Sequence, residues 1–197
     1  MAVALQRANR ADVACVKALR EKSMHPQFCL ANDAQPGKTQ RLTSVNDKIA
    51  IRMLVKDDYP SWKILWDGYN AFYGRHGATE LPFETTQMTW SRFFDAYEPM
   101  HALVAESSGC LLGLAHFLFH RSTIQVGPIC YLQDLFTAEE ARTKGVGRAL
   151  INSVCEFARG AGSPRVYWQT HETNTPAIRL YDKVAERSGF VVYRKTL

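Results

Sequence analysis

The first residues whose types and spacing suggest chemistry are Arg142-x-x-Gly145-x-Gly147, which lie between an apolar stretch and a helix-patterned one. Glycine lets a backbone turn sharply and come close to a ligand. Beyond it, Leu150, Ile151, Val154, Cys155, Phe157 and Ala158 follow the spacing of an amphipathic helix. A loop feeding a helix N-terminus offers unpaired N–H groups and the positive end of the dipole, which suits phosphate. Arg142, Lys144 and Arg148 add three cations. The stretch reads as a pyrophosphate cradle. It lacks the Gly-Lys-Ser/Thr of a nucleoside-triphosphate loop and the acid-bearing arrangement of a dinucleotide fold.

Two further groups carry protons. Asp134 is the one carboxylate inside the apolar run Tyr131–Phe136. Burying a charge is costly unless it is paired or used. Two roles are open to it: a base that takes a proton from an amine through water, or an anchor that orients the strand end. His116, His120 and His171 are rival bases, although a histidine in a strand is more often packed or solvated. Downstream, Asn174-x-x-Ala177-x-x-Leu180-Tyr181 places Asn174, Ala177 and Tyr181 on one face of a helix. A small residue there leaves room for a chain to pass, and a phenol can give a proton. Cys130, between Ile129 and Tyr131, reads as a packed thiol rather than a nucleophile. Asp67, Glu80, Glu84, Asp95 and Glu98 could receive a cationic amine or form a solvated face.

The elements that position these groups follow from hydrophobic period and punctuation. Residues 49–55 (IAIRMLV) read as a strand, followed by a helix capped by Asp57 or Asp58 with Pro60 in its first turn. That helix carries Trp62, Ile64, Leu65, Trp66, Tyr69, Phe72 and Tyr73. After a break at Gly74–Pro82, Phe83–Tyr97 reads as a second helix. His101–Glu106 and Cys110–His120 pair as a hairpin across Ser107-Ser108-Gly109. A strand from Ile129 leads into the cradle and its helix, which stops at Gly160–Pro164. Arg165–Thr170 is a strand, Pro176 opens a helix, and Gly189–Tyr193 reads as a last strand. The order β-α-α-β-β-β-α-β-α-β describes a mixed α/β fold, antiparallel in front and βαβ behind.

Composition sets bounds. The chain has 197 residues with 46% hydrophobic content, enough for one core domain and an appendage. Residues 1–47 look different: a short amphipathic helix is expected over Asp12–Glu21, then linker chemistry with a Pro-Gly pair. We read 1–47 as an extension and 48–197 as the domain. The net charge of +5 fits an anionic ligand but does not by itself argue for nucleic acid. No apolar run reaches the length of a membrane span. Five scattered cysteines have no metal spacing and suit a reducing cytoplasm, with most of the thiols packed. No metal is expected.

Residues 166–184 complete the pattern. Val166, Tyr167, Trp168, Thr170, Leu180, Tyr181, Lys183 and Val184, taken with the cradle and Asp134-Leu135-Phe136, resemble the GNAT superfamily of N-acetyltransferases, in particular its small histone-and-polyamine acetyltransferase branch. The resemblance covers about residues 48–197. It implies a central mixed sheet flanked by helices, with acetyl-CoA as co-substrate. It implies that acetyl-CoA is held by Leu135, Phe136, Thr137, Arg142, Thr143, Lys144, Gly145, Val146, Gly147, Arg148, Ala149, Asn174, Ala177 and Tyr181. It also implies that Tyr181 protonates the departing thiolate, with Asp134 the candidate base. A main-chain N–H near Leu135 or Phe136 would polarise the thioester carbonyl. The expected reaction is direct attack by a primary amine, on a small molecule or a protein lysine, in a ternary complex. The expected assembly is a homodimer through the terminal strand. The alternative is a non-catalytic acyl-CoA-binding regulator on the same fold.

Overall fold

The computed structural model describes residues 48–197; the helix expected over Asp12–Glu21 lies outside them. Five strands form one sheet in the order β1-β2-β3-β4-β5: β1 Ala50–Met53, β2 Met100–Ser107, β3 Cys110–His120, β4 Ile129–Thr137 and β5 Val166–Tyr167. The first four are antiparallel neighbours, while β5 runs parallel to β4. Helices α1 Tyr59–Phe72 and α2 Phe83–Arg92 precede β2, α3 Val146–Gly160 joins β4 to β5, and α4 Thr175–Tyr181 follows β5. The expected element order therefore holds as far as α4.

The sheet is buried on both faces. Trp62, Leu65, Trp66 and Tyr69 of α1 pack on Ala102, Val104 and Leu114. On the other face, Val146, Leu150, Ile151, Val154 and Ala158 of α3 pack on Leu103, Ala105, Ala115 and Phe117. Each fully buried large side chain contributes about 1.5–3 kcal/mol. The β2–β3 turn is a two-residue loop with Ser108 and Gly109 both at positive φ, which matches the twist of the strands it joins. Arg52 clamps β1 to its surroundings, reaching Asp58 with two hydrogen bonds (2.7 and 2.8 Å) and Glu106 with one (2.6 Å).

Several expectations need correction. Asp58 does not cap α1 with its side chain; its carboxylate accepts from Arg52 and from the Val55 N–H instead. Helix α2 ends at Arg92 rather than Tyr97, where Asp95 accepts the Tyr97 N–H (2.9 Å) and turns the chain. Strand β5 is only Val166–Tyr167. Gly189–Tyr193 is not a strand: Gly189 takes a left-handed φ of 77°, and Phe190 and Tyr193 are 88% and 92% exposed. An extended apolar segment becomes a strand only when a neighbour supplies ladder partners, and β5 presents too short an edge to do so. Cys130 and Cys155 are free thiols, whereas Cys110, expected to be another packed thiol, is disulfide-bonded.

Candidate active site

Strand β4 carries a bulge. His116 pairs with Asp134 and Phe117 with Leu132, so Gln133 is the extra residue. A bulge shifts the alternation of side chains by one position. As a result Tyr131 and Asp134, three apart in sequence, share the face covered by α1. Beyond Tyr131, β4 has no ladder to β5. The sheet opens there, and the main chain of β4 from Leu132 to Thr137 faces the gap.

Asp134 is 8% exposed and lies within a chain of hydrogen bonds. His116 Nδ1 is 2.9 Å from Asp134 Oδ2, and Trp62 Nε1–H donates to His116 Nε2 at 3.0 Å. An indole N–H can only donate, so His116 Nε2 accepts and its Nδ1 carries the proton given to Asp134. His116 has no lone pair left for an acceptor, which removes it as a base. The Tyr69 hydroxyl faces Asp134, and burial together with that carboxylate pushes the Tyr69 phenol far above its usual range. Burial and Asp134 raise Tyr73 as well. For Tyr131, burial, Tyr167, Asp134 and Tyr73 all raise the phenol. Four groups from three elements thus converge on one carboxylate.

The other histidines are engaged. His120 holds the Arg121 carbonyl through Nδ1 (2.9 Å) and the Tyr167 hydroxyl through Nε2 (3.1 Å). His171 contacts Thr173 in an exposed loop. Of the carboxylates offered as amine receivers, Asp67 pairs with Lys63 and Glu98 with Arg92. The Cys130 thiol is fully buried and pushed up to about 12 by that burial, with Cys155 adding to the shift, as an inert thiol should be.

The cradle is built as its residues suggest. Thr143 (φ 65°) and Gly145 (φ 86°) are both left-handed, and Gly145 sits at the N-cap of α3. No side chain caps this helix. Its first internal bond runs from the Ala149 N–H to the Gly145 carbonyl (3.0 Å), which leaves the N–H groups of Val146, Gly147 and Arg148 unpaired among the described residues. Arg142, Lys144 and Arg148 are exposed and form no ion pair among the described residues. This donor set fits a diphosphate. Gly147 packs closely: a Cβ there would meet Leu180 Cδ2 of α4 at 3.2 Å, a contact that a small shift of the leucine relieves. The Val146 side chain is core.

The remaining predicted residues lie at the end of β4 and along α4 with its N-cap. The Phe136 ring presses on Gly68 of α1, where an added Cβ would lie 2.8 Å from it, so Phe136 can serve a ligand only through its main chain. Leu135 and Thr137 are half-buried on either side. Asn174 is the N-cap of α4 and its Nδ2 donates to Thr170 Oγ1 (3.1 Å). Ala177 is half-buried on the same helix. Tyr181 packs edge-on against Trp168 at 5.4 Å. Burial, with Tyr73 contributing, pushes its phenol up to about 12. Tyr73, at the C-cap of α1, thus acts on Tyr181 of α4. Sequence reasoning gave Arg75 no role and read Trp62, Tyr69 and Tyr73 mostly as core, with some of the helix aromatics open to an acceptor groove. A signal for them was present: Trp62, Trp66, Tyr69 and Tyr73 follow a 4-3-4 spacing along one helix face.

No group of three or more metal-ligating side chains occurs among the described residues, and no described helix is long and apolar enough to cross a membrane. The fold has close solved counterparts. An aminoglycoside acetyltransferase from an uncultured soil metagenomic sample superposes with a TM-score of 0.65 at 18% identity, covering 78% of this chain and 99% of that one. The aminoglycoside N-acetyltransferase AAC(6')-Iy, solved with CoA, gives 0.63 at 18% identity over 79% of this chain and 99% of its own. In sequence, the D-amino-acid N-acetyltransferase HPA3 of Saccharomyces cerevisiae is 36% identical over 77% of this chain and 92% of its own length. The thialysine N-epsilon-acetyltransferase of Caenorhabditis elegans is 32% identical over 43% of this chain and 52% of its own. Residues 62–185 match the acetyltransferase (GNAT) family. That span runs from the indole that orients His116 to the turn after Tyr181, and with the uncapped, cationic start of α3 it establishes that this chain belongs to the GNAT family of acetyl-CoA-dependent N-acetyltransferases.

Proposed function

We propose that this enzyme transfers the acetyl group to a primary amine by direct attack, with the amine entering between α1 and the open edge of β4. The observation that carries this reading is Asp134: a buried carboxylate facing Tyr69, Tyr73 and Tyr131 beside the gap between β4 and β5. An ammonium has no lone pair and must lose a proton before it attacks. Asp134 attracts the ammonium and receives its proton, directly or through water. His116 holds the carboxylate in place, and neither it nor Tyr69 competes for that proton.

Acetyl-CoA supplies the thioester. Its diphosphate is taken by the N–H groups of Val146, Gly147 and Arg148, with Arg142, Thr143, Lys144, Gly145 and Ala149 around them. Leu135, Phe136 and Thr137 offer main-chain groups along the unpaired edge of β4, and one N–H of Leu135 or Phe136 polarises the carbonyl. Asn174 and Ala177 flank the arm, and Tyr181 directs its hydroxyl at the leaving sulfur. Much of the rate comes from alignment of amine and thioester. Cys130 takes no part, because a buried, protonated thiol is a poor nucleophile.

The acceptor amine is carried by a small molecule or a protein lysine, and the enzyme works in the cytoplasm. It assembles as a homodimer. The exposed apolar run Phe190–Tyr193 and the short outer strand β5 support this, since apolar surface of that kind is normally covered. A monomer mass in sedimentation at micromolar concentration would count against the dimer. Residues 1–47 are dispensable for the chemistry. A chain starting at Lys48 should fold and turn over, and a folded but inactive truncation would assign the extension to the site. The deciding experiment for the whole reading is a panel of amine classes incubated with acetyl-CoA, monitored by thiol release. Tight CoA binding without turnover of any amine would favour the non-catalytic regulator.

A further inference from the structure

Among the described residues, Arg75 is the one cation held over the aromatic face that leads to Asp134. Its guanidinium lies 5.6 Å from the Tyr69 ring centre and 5.3 Å from that of Tyr73. Its position is enforced by other contacts. The Nε–H donates to Asn70 Oδ1 (2.7 Å), and Asn70 is buried with its own Nδ2 bonded to the Trp66 carbonyl (2.8 Å). The Arg75 main-chain N–H also bonds the Asn70 carbonyl (2.9 Å). A long flexible side chain has thus been tied down at Nε, while its two terminal nitrogens have no protein acceptor among the described residues. Those two nitrogens form the fork that recognises a carboxylate with two parallel hydrogen bonds.

The same tyrosine meets the opposite charge. The Asp134 carboxylate acts on the Tyr69 phenol, and the Tyr69 ring lies under Arg75. Anion and cation are therefore separated by about one aromatic side chain, with Tyr69 and Tyr73 as the wall between them. A polyamine would place a second ammonium near Arg75 and be repelled. A molecule with an ammonium at one end and a carboxylate at the other matches both poles.

We infer that Arg75 is the specificity-determining residue of the acceptor site and that the acceptor is a zwitterionic amino acid, its ammonium on Asp134 and its carboxylate on the Arg75 fork. This rests on the reading of Asp134 as the amine-facing carboxylate. A merely structural Arg75, stapling the end of α1 through Asn70, would have no effect on the choice between an acid and its amide.

The test uses the full chain with acetyl-CoA and pairs of acceptors that differ only in the carboxylate: alanine and phenylalanine against their carboxamides, with a diamine alongside. Values of kcat/KM are corrected for the fraction of free amine, because the carboxamides carry the more acidic ammonium. The wild type should prefer the acid over the amide. Arg75→Gln keeps a donor for Asn70, and it should reduce that preference by about tenfold to a hundredfold, the worth of a charge-assisted hydrogen-bonded pair. The loss should appear chiefly in KM, with Arg75→Lys intermediate. Thermal unfolding and CoA calorimetry verify that the variants fold and bind. Equal loss for acid and amide, or a wild type that favours the amide or the diamine, overturns the inference while leaving the N-acetyltransferase reading intact. Release of no thiol with any amine overturns both.

Discussion

Replacing Tyr181 by phenylalanine isolates one hydroxyl. The ring sits edge-on to Trp168, and phenylalanine preserves that contact. The hydroxyl makes no hydrogen bond to protein among the described residues, so folding stability should change by less than about 0.5 kcal/mol. Its role can be worked out from the acidity the site imposes. Burial, with Tyr73 adding to it, pushes the phenol up to about 12, whereas a thiol titrates near about 8.5. Complete transfer of the proton to a departing thiolate would run uphill by a gap of about 3.5 pH units, or about 5 kcal/mol. On the proposed mechanism, Tyr181 therefore serves as a hydrogen-bond donor to the developing thiolate and not as a full general acid. A hydrogen bond to a charged group is worth about 1.5–3 kcal/mol, so Tyr181→Phe should lower kcat by roughly tenfold to a hundredfold. Acetyl-CoA affinity, in which the ground-state thioester carries no charge on sulfur, should hold within about twofold. Because a raised phenol keeps its proton until the pH reaches about 12, the kcat ratio of wild type to variant should stay level from pH 6 to 10. The assay is initial-rate thiol release at saturating amine across that range, with calorimetry for CoA. Wild-type kcat throughout would reduce Tyr181 to a packing residue, and a ratio that collapses between pH 7 and 9 would refute the acidity argument.

Asp134→Asn should destabilise the fold by about 1.5–3 kcal/mol, since it takes the carboxylate charge out of the buried hydrogen bond with His116 Nδ1–H; chemical denaturation measures it. Its rate loss should be largest at low pH, where the amine is most protonated, and a loss constant with pH would limit Asp134 to a structural part. Gly147→Ala should bind CoA with little change, because Leu180 at 3.2 Å can yield, whereas Gly147→Asp sets a negative charge among the cradle N–H groups and should weaken binding at least about tenfold; equal calorimetric affinities would dissociate the loop from CoA. With its pKa pushed up to about 12, Cys130 exposes only about one thiolate in ten thousand at pH 8. It should resist alkylation in the folded protein, and a Cys130-linked acetyl group trapped after mixing with acetyl-CoA would overturn direct attack.

Local pattern determined a good deal about this protein. Glycines before an apolar stripe of period 3.6 specify a loop, a helix and a positive N-terminus, and Arg142–Ala149 forms all three. The Ser-Gly turn and its flanking apolar runs specify the β2–β3 hairpin. These features depend on neighbours in sequence and on backbone preferences that each residue carries with it. Tertiary structure alone decided what surrounds Asp134. Its two readings could be weighed only after a bulge at Gln133 turned it to the α1 face and placed it against His116 and Tyr69, residues 18 and 65 positions away. His116 was excluded as a base by an indole 54 positions upstream. The terminal segment failed as a strand for the same kind of reason: Gly189–Tyr193 has strand composition, but a strand exists only where another edge offers its N–H and carbonyl groups, and β5 ends at Tyr167. Charge state, hydrogen-bond direction and edge pairing are properties of groups brought together across the chain, and they exist only in the fold.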